Sequence, residues 1–586
     1  MENNLDFTWK IGGEAGFGIM VTGATFGKLC TRSGLNVIST AEYPSLIRGG
    51  HNTFVVRAAE KKIYALKKSV NLLIALNKET YDLHKNELTT HASMIFDPHD
   101  FQPETTDNLD LLPVPFFQLA KDNKGNFLMR NTVAIGSSIA LLGIDFTLLE
   151  EMLRREFERK GEEVVNLNIN IAKAGYSYVL NTLAKKPWYN LTRKPNGKFL
   201  ATGNEALAAG AVSGGMKFFA AYPMTPINGL ITYFTVREKK YNLVYKQPED
   251  EISAINMAIG ASYAGVRAMT ASSGGGFALM NEGFSLAGMT ETPLIVIYGQ
   301  RPGPASGLPT WTSQGDLRYA LSAGHGEFFR FVFTPGDLEE CFWLTKLAFN
   351  LTEKYQTPAL ILVDKYLCES YFSGEQESWI KPQTLPESVW EKAKNITRGK
   401  ITQSSNENYL RYQITNDGIS PRAIPGKSGS FTVNSYEHDE EGLSTEKGSE
   451  IMRMIDKRNK KGEVAQAEAF GPIEFGEKNS DITLVGWGST KQAVLEAISM
   501  VNQEGKLKVS YLHFSCLSPF PIQNALNLLG KAKKIVNIEG NSQGPFASLI
   551  REKTGINITE NILKYDGRQF YPEEIVSALK VISQRI

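Results

Sequence analysis

Cysteine is scarce in this chain: 586 residues carry only Cys30, Cys341, Cys368 and Cys516. They stand far apart and no C-x-x-C pair occurs, which excludes a local zinc knuckle and a clustered-cysteine iron–sulfur motif. Any iron–sulfur chemistry tied to this protein would have to sit on another chain. An excess of charge of one sign is also missing, with 63 lysines and arginines against 62 aspartates and glutamates. That balance argues against nucleic-acid and membrane partners. The one basic cluster, "DKRNKKGE" around Lys457, reads as a solvated helix face or a linker. No apolar run reaches the ~20 residues of a spanning helix. The opening "MENNLDFTWK" lacks the charged-then-apolar layout of a signal peptide, so the expected compartment is the cytoplasm.

What is present is an ordinary globular composition, 42% apolar and 21% charged, on a chain long enough for several cores. The first segment opens "LDFTWKIGGEAGFGIMVTGATFGKLCTRSGLNVIST". A strand runs into Gly12, Gly13, Gly16 and Gly18, a helix follows, and "LNVIST" completes a βαβ pattern. The spacing G-x-x-G-x-G is not the G-x-G-x-x-G of a dinucleotide fingerprint, so the nucleotide signal is weak. Further strands and helices follow, until prolines, lysines and asparagines in "LAKKPWYNLTRKPNGKF" mark a linker. This gives one α/β domain over residues 1–185.

A second α/β domain over 196–372 begins with "ATGNEALAAGAVSGGMKFFAAYPMTP". A helix so rich in alanine and glycine predicts an unusually close neighbour. Strands and helices then alternate through "LIVIYG", "FFRFVFT" and "PALILVDK", which predicts a mostly parallel sheet. From 373 to 478 the periodicity fades, and a connection that long reads as an extended arm wrapping another domain or subunit. Order returns over 479–586 as a third α/β domain.

Three residues of the second domain invite chemistry. Glu249, Asp250 and Glu251 fall in the first turn of a predicted helix, where carboxylates complement the dipole. Glu251 adjoins the apolar stripe Ile252, Ile255 and Ile259, and is the best placed of the three to be buried and to exchange a proton with a ring nitrogen. Arg301 follows the buried strand "LIVIYGQ" and so projects from the carboxyl edge of the sheet, where open α/β sheets bind ligands. Its guanidinium suits a carboxylate. Thr225 stands between Pro223 and Pro226 in "YPMTP". Each has a plain structural reading too: a dipole carboxylate, an exposed loop arginine, a local cap. Together they place a hydroxyl, a carboxyl and a guanidinium on one edge.

The stretches "AAYPMTP", "EDEISAINMAIGASYAGVRAMTASSGGGFALM" and "GQRPGPASGLPT…QGDL" closely resemble the alpha subunit of the 2-oxoacid:ferredoxin oxidoreductases. "GEAGFG" and "EYPSLIRGGHNTFVVR" resemble that family's gamma domain, here fused in front. "GISPRAIPG", "EHDEEG" and "GWGST" also match, so the resemblance spans nearly the whole chain. It implies three α/β domains: a Rossmann-like gamma domain, a pyrimidine-type thiamine diphosphate-binding domain and a transketolase C-terminal-like domain. The closest subgroup looks like the 2-oxoglutarate enzymes, coenzyme-A-acylating 2-oxoglutarate synthases with fused gamma and alpha subunits.

By that resemblance thiamine diphosphate binds between this chain and a separate beta subunit, with Glu251 on the aminopyrimidine ring and Tyr222 and Pro223 beside the cofactor. Thr225 and Arg301 would hold the 2-oxoacid's carboxylate and carbonyl. Carbon dioxide leaves, electrons pass singly through an iron–sulfur cluster to ferredoxin, and coenzyme A takes the acyl group. The family's GDG…N magnesium motif has only the near-match "NDGIS" with Asn434, so magnesium, diphosphate and cluster are expected on the partner, in an assembly of two of each chain. Met224 replaces the family's usual isoleucine, a mild apolar exchange. Arg48 and its neighbouring glycines are candidates for coenzyme A contacts. Alternative readings are a pyruvate or branched-chain 2-oxoacid enzyme, and a non-catalytic docking scaffold.

Overall fold

The computed structural model describes residues 5–46, 49–104, 108–194, 197–402, 409–427 and 431–585. The chain divides into two compact units. The first comprises Met1–Ala201 with Ser370–Gln376 and Tyr571–Glu573, and the second comprises the remainder. The candidate Arg48 lies outside the described residues.

The first unit is built on an eight-stranded sheet. Its strand order is Asp110–Pro113, Leu88–Phe96, Val70–Ala75, Asp6–Glu14, His51–Ala59, Asn36–Glu42, Tyr371–Glu375 and Lys198–Thr202. The opening strand and "LNVIST" run parallel, as a βαβ unit requires, but they are not neighbours. His51–Ala59 lies between them, antiparallel to both. That strand can occupy the gap because it serves both faces. Phe54 presses on the helix Ile19–Arg32 so closely that a Cβ on Gly23 would stand 2.2 Å from its ring. Arg57, buried, donates from Nε to Asp6 Oδ1 at 3.0 Å.

The second unit holds two sheets. The seven-stranded one runs Cys516–Ser518, Phe331–Phe333, Pro358–Asp364, Leu294–Gln300, Ala268–Ser273, Phe218–Ala220 and Val244–Lys246. All its pairings are parallel except the one made by Cys516–Ser518, a short strand lent from the C-terminal segment. The alanine- and glycine-rich helix Gly203–Ser213 is packed as tightly as its composition predicts. A Cβ on Gly210 would stand 2.4 Å from the Phe342 carbonyl oxygen of the helix Leu338–Tyr355. The five-stranded sheet runs Ile473–Gly476, Val509–Phe514, Ile482–Trp487, Ile535–Glu539 and Glu560–Leu563. Its His513 and the helix residue Lys491 both reach Glu340 of the seven-stranded half, at 2.9 Å and 2.6 Å, and all three side chains are fully buried. No helix among the described residues is long and apolar enough to cross a membrane.

The segment expected to be an irregular arm contains an eighteen-residue helix, Gly448–Ala465. Its basic cluster was expected to be solvated, and the structure corrects this. Lys457 and Lys461 point inward, buried, and both pair with Glu291, with Lys457 Nζ 2.5 Å from Glu291 Oε1. These lysines hold the Glu291 carboxyl well below the usual carboxylate range despite its burial. Lys460, between them, is exposed. Residues 457 and 461, four apart in this helix, share one face, and the fold supplies the buried acid they meet. Breaking one partner of a buried ion pair leaves an uncompensated charge. Glu291→Gln should therefore cost roughly 3–5 kcal/mol of stability, seen as a lower urea midpoint for the second unit. An unchanged midpoint would show that the lysines shed their protons without cost.

Candidate active site

Three parallel neighbours, Phe218–Ala220, Ala268–Ser273 and Leu294–Gln300, end on one carboxyl edge. From that edge the chain enters Tyr222–Pro226, then Gly274–Gly276, then Arg301. The adjacent strand Val244–Lys246 leads to the helix Glu251–Tyr263. The helix begins two residues later than the sequence suggested. Asp250 is its N-cap and accepts from Ser253 N at 2.7 Å, which leaves Glu251 as the first helical residue.

Glu251 is 3% exposed, and its Oε1 is buried with no hydrogen-bond partner. Ile255 and Ile259 of the expected stripe are buried, whereas Ile252 is 49% exposed and faces away. A buried carboxylate oxygen without a donor costs free energy that a fold does not leave uncompensated without cause. The oxygen rests against Gly276, where a Cβ would stand 2.5 Å from it and 2.0 Å from Ser272 Oγ. Any side chain at 276 would fill the space beside the carboxyl.

The other two candidates meet directly. Arg301 Nη1 donates to the Thr225 carbonyl oxygen at 3.1 Å. Arg301 is half-buried, and that burial lowers its pKa from the ordinary value. The Thr225 hydroxyl does not cap the following helix, Asn228–Thr235, which has no side-chain cap. The turn is pinned by Pro226, whose ring lies where a Cβ on Gly299 would be, at 2.8 Å. Met224 bridges the two halves, its sulfur 3.8 Å from Ser272 Oγ. Contacts thus run from Arg301 through Thr225 and Met224 to Ser272, and Ser272 and Glu251 both face Gly276. Tyr222 and Pro223 lie on the exposed part of the turn, Tyr222 at 37%. Asn434 is engaged locally, donating to the Gly442 carbonyl oxygen and accepting from Tyr436 N, each at 2.7 Å.

Two neighbours escaped the sequence reading. Tyr298, on the strand before Arg301, and Asp316, from "QGDL", both face Gly274. Asp316 lies in that motif, yet nothing local pairs it with Tyr298 or with Gly274, because only the parallel register and a returning loop bring them to this edge.

The orphaned Glu251 oxygen and the bare glycine beside it suit a flat, hydrogen-bonding heterocycle. A half-buried guanidinium and a free hydroxyl nearby suit a small carboxylate. Residues 209–457 match the family described as Pyruvate flavodoxin/ferredoxin oxidoreductase, thiamine diP-bdg, and residues 8–178 match Pyruvate ferredoxin/flavodoxin oxidoreductase. The chain is 34% identical to a 2-oxoacid:ferredoxin oxidoreductase subunit alpha of Sulfolobus sp, across 99% of this chain and 97% of that one. It is 30% identical to the 2-oxoglutarate synthase subunit KorA of Methanothermobacter thermautotrophicus, across 65% of this chain and 98% of that one. Among solved structures, the 2-oxoglutarate:ferredoxin oxidoreductase from Magnetococcus marinus, with 2-oxoglutarate, coenzyme A and succinyl-CoA bound, superposes with a TM-score of 0.88. That match has 32% identity and covers 99% of this chain and 100% of the other. This chain belongs to the alpha subunits of the 2-oxoacid:ferredoxin oxidoreductases, with a thiamine diphosphate-binding domain in its α/β fold.

Proposed function

We propose that this chain supplies the pyrimidine-side half of a thiamine diphosphate site in a coenzyme-A-acylating oxidoreductase whose substrate is 2-oxoglutarate. The observation that carries the proposal is the buried, partnerless Glu251 Oε1 beside Gly276. Bound thiamine diphosphate supplies the carbon nucleophile and the electron reservoir for decarboxylating a 2-oxoacid.

The work of this chain's residues follows from where they stand. Glu251 exchanges a proton at Oε1 with the heterocycle, in a pocket dry enough to make that hydrogen bond strong. Ser272 and Gly276 fix the carboxyl's height, and Tyr222 and Pro223 border the cofactor from the exposed turn. Arg301 and Thr225 orient the substrate: the guanidinium pairs with its carboxylate, and the hydroxyl donates to a carboxylate or carbonyl oxygen. Because Arg301 is tied to the Thr225 backbone, the two move as one clamp.

A beta subunit would supply diphosphate, magnesium and iron–sulfur sites, with two copies of each chain, and ferredoxin would accept the electrons. One surface supports such a partner. From 251 to 281 the only charged residue besides Glu251 is Arg267, and both are buried. Their neighbours Ile252, Asn256, Met257, Gly260, Gly275, Ala278 and Leu279 are exposed. An uncharged patch beside a half-built site, bordered by the acidic Glu249, Asp250 and Glu282, fits the core of a covered interface with a polar rim.

The test is to co-express this chain with candidate beta subunits and follow dye reduction with a panel of 2-oxoacids. The complex should be brown, should require coenzyme A, and should prefer 2-oxoglutarate. The chain alone should be colourless and inactive. A preference for pyruvate or branched 2-oxoacids would move the substrate and keep the chemistry. Inactivity of every complex with every 2-oxoacid would favour the docking-scaffold reading.

A further inference from the structure

The glycine turn that clears space for Glu251 has no side chains of its own. Gly274, Gly275 and Gly276 form the first turn of the short helix Gly274–Leu279, which has no side-chain cap, so the placement of that permissive turn leans on the groups packed against it. On one side those are Glu251 and Ser272. On the other, a Cβ added to Gly274 would stand 3.3 Å from Asp316 Oδ2 and 3.4 Å from Tyr298 Oη. A carboxyl and a phenol therefore close over the start of the turn as Glu251 closes over its end.

Both groups are held from behind. Tyr298 is fully buried, its ring 4.8 Å from that of Phe277, with Tyr319 edge-on at 6.4 Å. The Asp316 backbone N–H donates to Gln300 Oε1 at 3.1 Å, and Gln300 sits on the strand that carries Tyr298. Two residues earlier, Gln314 Nε2 donates to the Trp487 carbonyl oxygen at 2.8 Å, and its Oε1 accepts from Gly540 N at 2.7 Å. Phenol and carboxyl are near enough to affect each other's ionisation. Burial raises both pKa values, the carboxyl raises the phenol's further, and the phenol draws the carboxyl's back down. Yet the Tyr298 hydroxyl makes no well-formed hydrogen bond. It stands among the buried orphans of the same edge, with Glu251 Oε1 and Ser273 Oγ.

We propose that Asp316 is a positioning residue for the thiamine diphosphate site: with Tyr298 it clamps the Gly274–Gly276 turn and so sets the angle at which Glu251 meets the heterocycle. The inference rests on the reading of Glu251 above. It makes a distinct demand, because a displacement on the order of 1 Å at a reacting group can cost about 100-fold in rate. Arg301 opens the loop that Asp316 closes, but its guanidinium is held by the Thr225 carbonyl oxygen rather than by Asp316, so substrate binding should suffer less than cofactor binding.

The experiment uses the complex with its beta subunit. Asp316→Ala should lower kcat at least about 10-fold and weaken thiamine diphosphate binding by a similar factor, while KM for the 2-oxoacid moves less than about 3-fold. Asp316→Asn keeps an oxygen facing the phenol and should recover most of both losses. Tyr298→Phe should lose part of what Asp316→Ala loses, and the double variant little more than Asp316→Ala alone. Wild-type kcat and cofactor affinity in Asp316→Ala would overturn the proposal. So would an Asn variant as impaired as the Ala variant, or fully additive losses. If Asp316→Ala does not fold, Asp316→Asn and Tyr298→Phe, checked by thermal melting, carry the same decision through the cofactor affinity of Tyr298→Phe. Glu251→Gln is assayed alongside. Its full activity would remove the site reading itself, whereas an inactive Glu251→Gln beside an unimpaired Asp316→Ala would remove only the role of Asp316.

Discussion

Glu251→Gln should abolish 2-oxoacid-dependent dye reduction by the assembled complex, a fall of at least about 100-fold for the loss of one acid–base group. Glutamine preserves length, volume and the capacity to hydrogen-bond a ring nitrogen. What it removes is a proton that can be given and taken back. Because Glu251 is 3% exposed and its Oε1 lacks a partner, the substitution also breaks no existing hydrogen bond of that oxygen. Folding and subunit association should therefore be untouched, which separates a chemical loss from a structural one. The decisive comparison is activity against co-purification with the beta subunit. Full activity in an intact complex would end the case for cofactor activation by this residue.

Arg301→Ala should act on the substrate. Truncating one partner of a desolvated charged pair costs roughly 2–5 kcal/mol, which is about 30-fold to several-thousand-fold in affinity. The loss should appear mainly in KM for the 2-oxoacid, with cofactor binding preserved. Arg301→Lys should rescue little, since an ammonium cannot both pair bidentately with a carboxylate and hold the Thr225 carbonyl oxygen. An unchanged KM would reassign Arg301 to bracing the proline turn.

How much of this was legible in sequence depended on whether the deciding contact was local. The burial of Glu251 followed from helical spacing beside Ile255 and Ile259, although the same stripe misled for Ile252, which the fold turns outward. The convergence of Thr225 and Arg301 followed from strand-to-loop junctions on a parallel sheet, and the tight helix Gly203–Ser213 followed from its composition. The split of the first βαβ pattern by His51–Ala59 was hidden, because pairing partners far along the chain leave no local mark. Lys457 and Lys461 looked solvated because Glu291, their counter-charge, is more than 160 residues away. Asp316 and Tyr298 were invisible as a pair for the same reason: eighteen residues and a returning loop separate them, and an aspartate in a loop is unremarkable until a register places it.

The uncharged surface around the helix Glu251–Tyr263 has a practical corollary for handling the protein. With no charge on the exposed residues of the helix itself, whatever settles there should depend little on moderate ionic strength and should hold more firmly as sulfate is added. High-salt washes will not strip it away, and a preparation lacking its mate should salt out early.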